Sequence, residues 1–123
     1  MKDEKRESPS DLKSRTREFS LRVIRLYSAL PTTTPAQVIG KQVLRSATSV
    51  GAHYREATRA RSDAEFISKL EGGLQELEET AYWLELLEGA EVFPTDRLAP
   101  LCQEVDELIA IFVTCVKKRK DSR

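Results

Sequence analysis

Four separate stretches of this chain repeat apolar residues at alternating intervals of four and three. That spacing lines one face of an α-helix and no face of a strand. In the first stretch the stripe is Leu12, Thr16, Phe19, Val23, Leu26 and Leu30. The second carries Ile39, Val43, Ser46, Val50, His53 and Ala57 on its inner face, and the third Phe66, Leu70, Leu74, Leu77, Ala81 and Leu84. The fourth bears Leu98, Cys102, Val105, Ile109, Phe112 and Val116.

The joints between them carry start and stop chemistry. "SPSD" offers Ser8 or Ser10 as a cap, with Pro9 tolerated in the first turn. Pro31 in "LPTTTP" cannot continue a helical ladder, and Thr34 and Pro35 read as the cap and first residue of the next helix. "SDAE", Ser62 to Glu65, is a capping box, and Gly89 suits a left-handed position after the third stripe. Thr95 in "FPTD" reads as the cap of the fourth helix. Four amphipathic helices of about 20 residues with short joints predict an all-α fold, an antiparallel up-and-down four-helix bundle. The bundle should span residues 9–116, between a disordered N-terminal tail, 1–8, and a frayed basic C-terminal tail, 117–123.

A chain of 123 residues is long enough to bury one real core. Its charges balance overall but not locally. Residues 1–61 hold 13 Lys/Arg against 6 Asp/Glu, residues 62–116 hold 2 against 13, and residues 117–123 hold 5 against 1. Such asymmetry describes surfaces and partners rather than fold. The opening "MKDEKRESPSD" has no apolar run and reads as no signal peptide. No stretch approaches the roughly 20 apolar residues of a membrane span. Cys102 and Cys115, 13 apart on one helix, lie too far from each other to bridge, and two free thiols fit a cytoplasmic protein.

Catalytic and metal constellations are missing from the sequence. There is one histidine, His53, on the inner face of the second helix, and the expectation is a packed, hydrogen-bonded side chain rather than a catalyst or ligand. Gly72 and Gly73 lie inside a helix and lack the Lys-Ser/Thr of a phosphate loop. Each costs about 1 kcal/mol relative to alanine there, which close approach of a neighbouring helix would offset. Glu71, Glu76, Glu78, Glu79, Glu85 and Glu88 contain no Glu-x-x-His pair, so they read as an acidic surface and not a di-iron site. No enzyme, cofactor or small-molecule substrate is expected.

The most unusual stretch is "RSATSVGAHYREATRAR", Arg45 to Arg61, dense in small residues. A helical projection puts Lys41, Arg45, Arg55 and Arg59 together, opposite Ile39, Val50 and Ala57. Three readings stay open for this basic stripe: a solvated face, contact with phosphates, or pairing with acidic residues of another subunit. On the third helix, Trp83 and Leu86 project off the apolar stripe beside Glu76 and Glu79. Either they meet a partner or Phe93 folds back over them.

"QVLRSATSVGAHYREA" followed by "SDAEFISKLEGGLQELEETAYWLELL" resembles a bacterial family of four-helix-bundle proteins. Its members include proteins encoded in intervening sequences of 23S ribosomal RNA genes. The resemblance runs from about Phe19 to Val116 and rests on Gln42, Arg45, Ser46, Ser49, Val50, Ala52, Glu56 and Ala57. It rests equally on Phe66, Leu70, Leu74, Glu76, Glu79, Thr80, Tyr82, Trp83 and Leu84. Two positions depart from the pattern: His53 stands where the family often has Asn, and Gly72–Gly73 where it usually has larger apolar residues. The resemblance implies a ring-like homopentamer with no established enzymatic activity. A distantly similar branch, the accessory protein of diversity-generating retroelements, works with a reverse transcriptase and nucleic acid.

The expected function is therefore a non-enzymatic oligomeric scaffold that binds RNA or DNA, or a nucleic-acid-processing protein. Candidate nucleic-acid contacts are Lys41, Arg55, Arg59 and Arg61 with Lys117, Lys118, Arg119 and Lys120 of the tail, which also reads as a solubilising end. Candidate subunit contacts are Arg45, Gly72, Gly73, Glu76, Glu79, Trp83 and Leu86, with the arginine facing glutamates of the next copy. The alternative is a protein-binding adaptor that uses the acidic third helix and the Trp83 patch.

Overall fold

The computed structural model describes residues 9–122, with side chains from Asp11 onward. Every regular element among them is helical: α1 (Pro9–Ser28), α2 (Thr34–Thr58), α3 (Asp63–Gly89) and α4 (Thr95–Asp121). The four pack as a bundle. The expected tail 1–8 and Ser8 as a cap lie outside the described residues, and Ser10 falls inside α1 rather than before it.

Local chemistry sets the boundaries. α2 opens one residue earlier than the sequence suggests, with Thr33 at the cap position and Pro35 in the first turn. At α3, Ser62 Oγ accepts from the Glu65 amide at 3.0 Å, while the Glu65 carboxylate takes the Arg61 amide at 3.1 Å. Two backbone amides at the helix start are thus satisfied, the return bond of the capping box landing on Arg61, one residue before Ser62. α4 likewise opens one residue earlier than the sequence suggests, at Thr95, with Pro94 and not Thr95 at the cap position.

Two terminal expectations need correction. Gly89 stays inside α3, and the left-handed residue is Glu91, φ 56°. The Val92 amide donates to Leu87 O and the Glu91 amide to Glu88 O, both at 3.0 Å. This is the paired closure of a Schellman motif, built here without glycine. The basic segment after residue 116 does not fray either: it continues α4 to Asp121, held by contacts to α3 described below.

α2 packs on α3 over the longest seam, α1 joins α2, α4 joins α3, and α1 and α4 touch least. Phe19, Phe112, Leu70, Leu77, Leu84, Leu87, Leu98 and Leu108 fill the centre with almost no exposure. The inner line of α3 runs through Ile67, Leu70, Gly73, Leu77, Thr80, Leu84 and Leu87. Phe66, Leu74 and Ala81, expected at its centre, sit at its edge, half-buried. α4 shows the same rotation: Leu101 and Leu108 are buried, while Cys102 and Ile109 are partly so.

The small residues of α2 explain how it accepts neighbours on two sides. Ser46 and Ala47 are fully buried, and Ser46 Oγ lies 2.7 Å from Thr80 Oγ1 of α3. Gly51 faces Thr16 of α1. Short side chains shorten the distance between helix axes, and the one polar pair buried there satisfies itself.

Candidate functional site

The arginine at the head of that stretch is engaged within its own chain. Arg45 Nη2 donates to Glu79 Oε1 at 2.8 Å and Nη1 to Glu76 Oε1 at 3.4 Å. Glu76 and Glu79, expected to face Arg45 from a neighbouring copy, already meet it within one chain, where α2 and α3 bring them together. Lys69 and Glu56 add a second link along the same seam at 3.5 Å.

Gly72 and Gly73 also make close contacts inside the chain. A Cβ on Gly72 would stand 3.0 Å from His53 Cε1, and one on Gly73 would stand 2.9 Å from Phe112 Cε2 and 3.3 Å from His53 Cβ. Gly73 is itself buried. The two departures from the family pattern therefore answer each other: the glycines leave the room that the imidazole fills. His53 is packed as expected but not hydrogen-bonded. Its Nδ1 is covered and lacks a hydrogen-bond partner, with Glu56 Oε1 at 3.5 Å in poor geometry.

The two remaining interface candidates behave differently. Trp83 is half-buried against the core, its ring 5.2 Å from that of Tyr82, and its Nε1–H is covered without an acceptor. Leu86 is half-exposed outside the core cluster. Tyr82, absent from the sequence reading of this surface, is 53% exposed. Phe93 turns toward α1 and α4, with the Arg97 guanidinium 5.0 Å over its ring.

The basic candidates divide into free and engaged cations. Lys41, Arg55, Arg59, Arg61, Lys117 and Lys118 are exposed, and their side chains have no carboxylate partner among the described residues. Arg119 is engaged: it stacks 3.7 Å above the Phe66 ring and donates to Asp63 at 3.1 Å. Lys120 meets Glu71 at 3.4 Å. These contacts keep the end of α4 helical and withdraw two cations from the expected phosphate-binding set.

One basic group was missed entirely. Arg22 and Arg25 of α1 and Arg97 of α4 line a cleft of about 230 Å³ together with Leu26, Ala29, Phe93 and Leu101. None of the three has a carboxylate partner among the described residues. Arg22 and Arg25 are visible in the sequence as a pair on one helix, but nothing in it brings Arg97, 72 positions later, to their side.

Little of this surface suits covalent chemistry. Cys102 and Cys115 are half-buried and form no disulfide, and burial, with help from Glu88 and Asp106, raises the Cys102 pKa, which disfavours a thiolate nucleophile. Burial pushes the Tyr54 hydroxyl up to about 12, with Cys115 adding to the shift. Among the described residues no group of three or more His, Cys, Asp or Glu could hold a metal ion, and no helix is long and apolar enough to cross a membrane.

Comparison with known proteins places this architecture. No curated protein matches the chain. A crystal structure of a protein with unknown function from the S23 ribosomal protein family, from Bacteroides thetaiotaomicron, is similar in both sequence and shape. The two are 37% identical, with a TM-score of 0.83, over 89% of this chain and 97% of that one. The family model for the 23S rRNA-intervening sequence protein matches residues 10–114, which takes in α2 and α3 whole and most of α1 and α4. The chain belongs to the 23S rRNA-intervening sequence protein family.

Proposed function

We propose that this protein is a non-enzymatic cytoplasmic scaffold that assembles into a closed ring of identical copies, five by family resemblance, and contacts RNA or DNA through backbone phosphates. The observation that carries the nucleic-acid reading is the sorting of cations. Lys41, Arg55 and Arg59 project from α2 without carboxylate partners, while Arg45 between them is held by Glu76 and Glu79. A cation that is not already paired can exchange its water and counterions for phosphate. Repetition of the stripe around a ring would add avidity to contacts that are weak singly.

Self-association draws support from the outer side of α3. Trp83 Nε1–H is covered without an acceptor, and Tyr82 beside it is 53% exposed. A neighbouring copy that supplied an acceptor would satisfy the first and bury the second. An alternating up-and-down course of the helices is supported by contacts between opposite ends. Arg119, late in α4, meets Asp63 at the start of α3, and Glu56, late in α2, meets Lys69, early in α3.

Two measurements test the proposal. Light scattering at micromolar concentration should give a multiple of the 13.9 kDa chain mass, and a monomer would refute the ring. Structured RNA should bind at low salt, with affinity falling steeply as salt rises. Lys41→Gln/Arg55→Gln/Arg59→Gln should flatten that slope by roughly one unit per lost contact without changing sequence preference. No binding at about 50 mM salt, where phosphate contacts are strongest, would overturn the nucleic-acid reading.

A further inference from the structure

We propose that the cleft between α1 and α4 is a discrete binding site for a phosphate group, held by Arg22, Arg25 and Arg97. It lies on other helices than the α2 stripe and stands or falls independently of it. Three cations converge on about 230 Å³ with no carboxylate partner among the described residues. Unpaired arginines lining one cleft repel one another, and a bound anion relieves that repulsion. Arg15, Arg45 and Arg119, by contrast, each meet carboxylates from a different helix.

The site is partly preorganised. Arg97 is held by its stacking over Phe93, and Arg22 is half-buried, so neither sweeps free solvent as a surface lysine would. Guanidinium groups present paired N–H donors that match the oxygens of a phosphate two at a time. Leu26 and Leu101 floor the cleft, which lowers the local dielectric and strengthens each contact. The volume is below the roughly 300–1,000 Å³ of pockets for drug-sized ligands, which suits a single phosphate better than a bulky metabolite. The cleft opens to solvent, so the phosphate can be free or be the end of a longer molecule. Because α1 and α4 touch least of the adjacent helices, an anion shared by Arg22, Arg25 and Arg97 would also fasten that seam.

The test is calorimetric titration and thermal unfolding of the full chain with inorganic phosphate at ionic strength held constant with chloride. Phosphate should bind saturably and raise the melting temperature beyond the chloride control. Arg22→Gln/Arg97→Gln should weaken binding by on the order of tenfold or more, since each lost fork removes a charge-assisted pair. Arg22→Lys/Arg97→Lys, which keeps the charge and loses the fork, should fall between, with circular dichroism confirming both variants are helical. The α2 variant Lys41→Gln/Arg55→Gln/Arg59→Gln should bind phosphate like wild type, so failure here and failure of the α2 stripe are separately visible. A short RNA with a 5′-phosphate compared with its 5′-hydroxyl twin identifies the source. A gain from the 5′-phosphate that the Arg22/Arg97 variant loses assigns a strand end. Equal binding of the two strands, with inorganic phosphate still bound, assigns a small phosphate. Absence of saturable phosphate binding, or binding undiminished in the glutamine variant, overturns the proposal.

Discussion

The inner and the outer pair of the helix order make contrasting seams. Between α2 and α3 the chain places Ser46, Gly72 and Gly73, and the helices approach until His53 and Phe112 fill the remaining space. Between α1 and α4 the contact is slight, and a two-pronged ionic link bridges it. Arg15 donates to Glu104 at 2.8 and 3.0 Å and to Glu107 at 2.6 Å. Small residues make a seam whose strength lies in packing and which resists insertion. Charged residues make one whose strength depends on pH and salt, and which leaves a cleft beside it. Adhesion and binding potential are thus separated within one bundle.

The contrast breaks most severely if the tight seam is overfilled. Gly73→Leu would drive a side chain into Phe112 and His53, and overpacking of this kind costs about 3 kcal/mol, more than the roughly 1 kcal/mol that losing glycine returns in helix propensity. Denaturant unfolding would measure it. At Gly72 the obstacle is the imidazole, so Gly72→Ala should be tolerated better with His53→Ala than alone. A double-mutant cycle should show coupling of about 1 kcal/mol. Additive effects would mean that the glycines and the histidine do not answer each other.

The loose seam should yield instead to charge. Arg15→Gln removes the pair with Glu104, whose side chain is only 14% exposed, and should cost about 1 kcal/mol at low salt, less at high salt. The Glu107 carboxyl is held below the usual range, first by its hydrogen bond from Gln103 and then by Arg15. A lowered carboxyl stabilises the fold above its ordinary pKa, and that contribution fades as pH falls through the lowered value. Acid titration should therefore loosen this seam, and Arg15→Gln should shrink the pH dependence without abolishing it, because Gln103 remains. Equal pH dependence in both proteins would remove Arg15 from the account.

How far the sequence revealed these differences follows from what periodicity can register. Four helices were legible, because buried Leu, Val and Phe recur at helical spacing. The inner line of α3 was not: it runs through Gly73 and Thr80, which an apolar stripe skips, so Phe66, Leu74 and Ala81 looked central. Arg45 and its glutamates were legible as partners, yet spacing along a chain does not say whether the acids belong to the same copy. The arginine cleft was illegible, since Arg97 reaches Arg22 and Arg25 only through the packing of α4 on α1. Periodicity supplied the bundle and family resemblance the expected ring, and neither carried information on the packing of His53 against Gly72.

The smallest expected effect lies at the turn that links the two seams. Glu91 adopts φ 56° to let the Val92 and Glu91 amides cap α3. A side chain in the left-handed region costs on the order of 1 kcal/mol, because Cβ crowds the following carbonyl. Glycine removes that crowding but loses more conformational freedom on folding. Glu91→Gly should therefore stabilise the protein by only about 0.5 kcal/mol, visible as a small rise in melting temperature. Glu91→Ala is the necessary companion, because it removes the carboxylate from an already acidic stretch while keeping the Cβ. If alanine stabilises as much as glycine, the gain comes from charge and the turn is unstrained. If only glycine stabilises, the backbone is the cause. In that case α3 ends where it does because of the amide pairing at Val92 and Glu91, against the preference of the residue that occupies the turn.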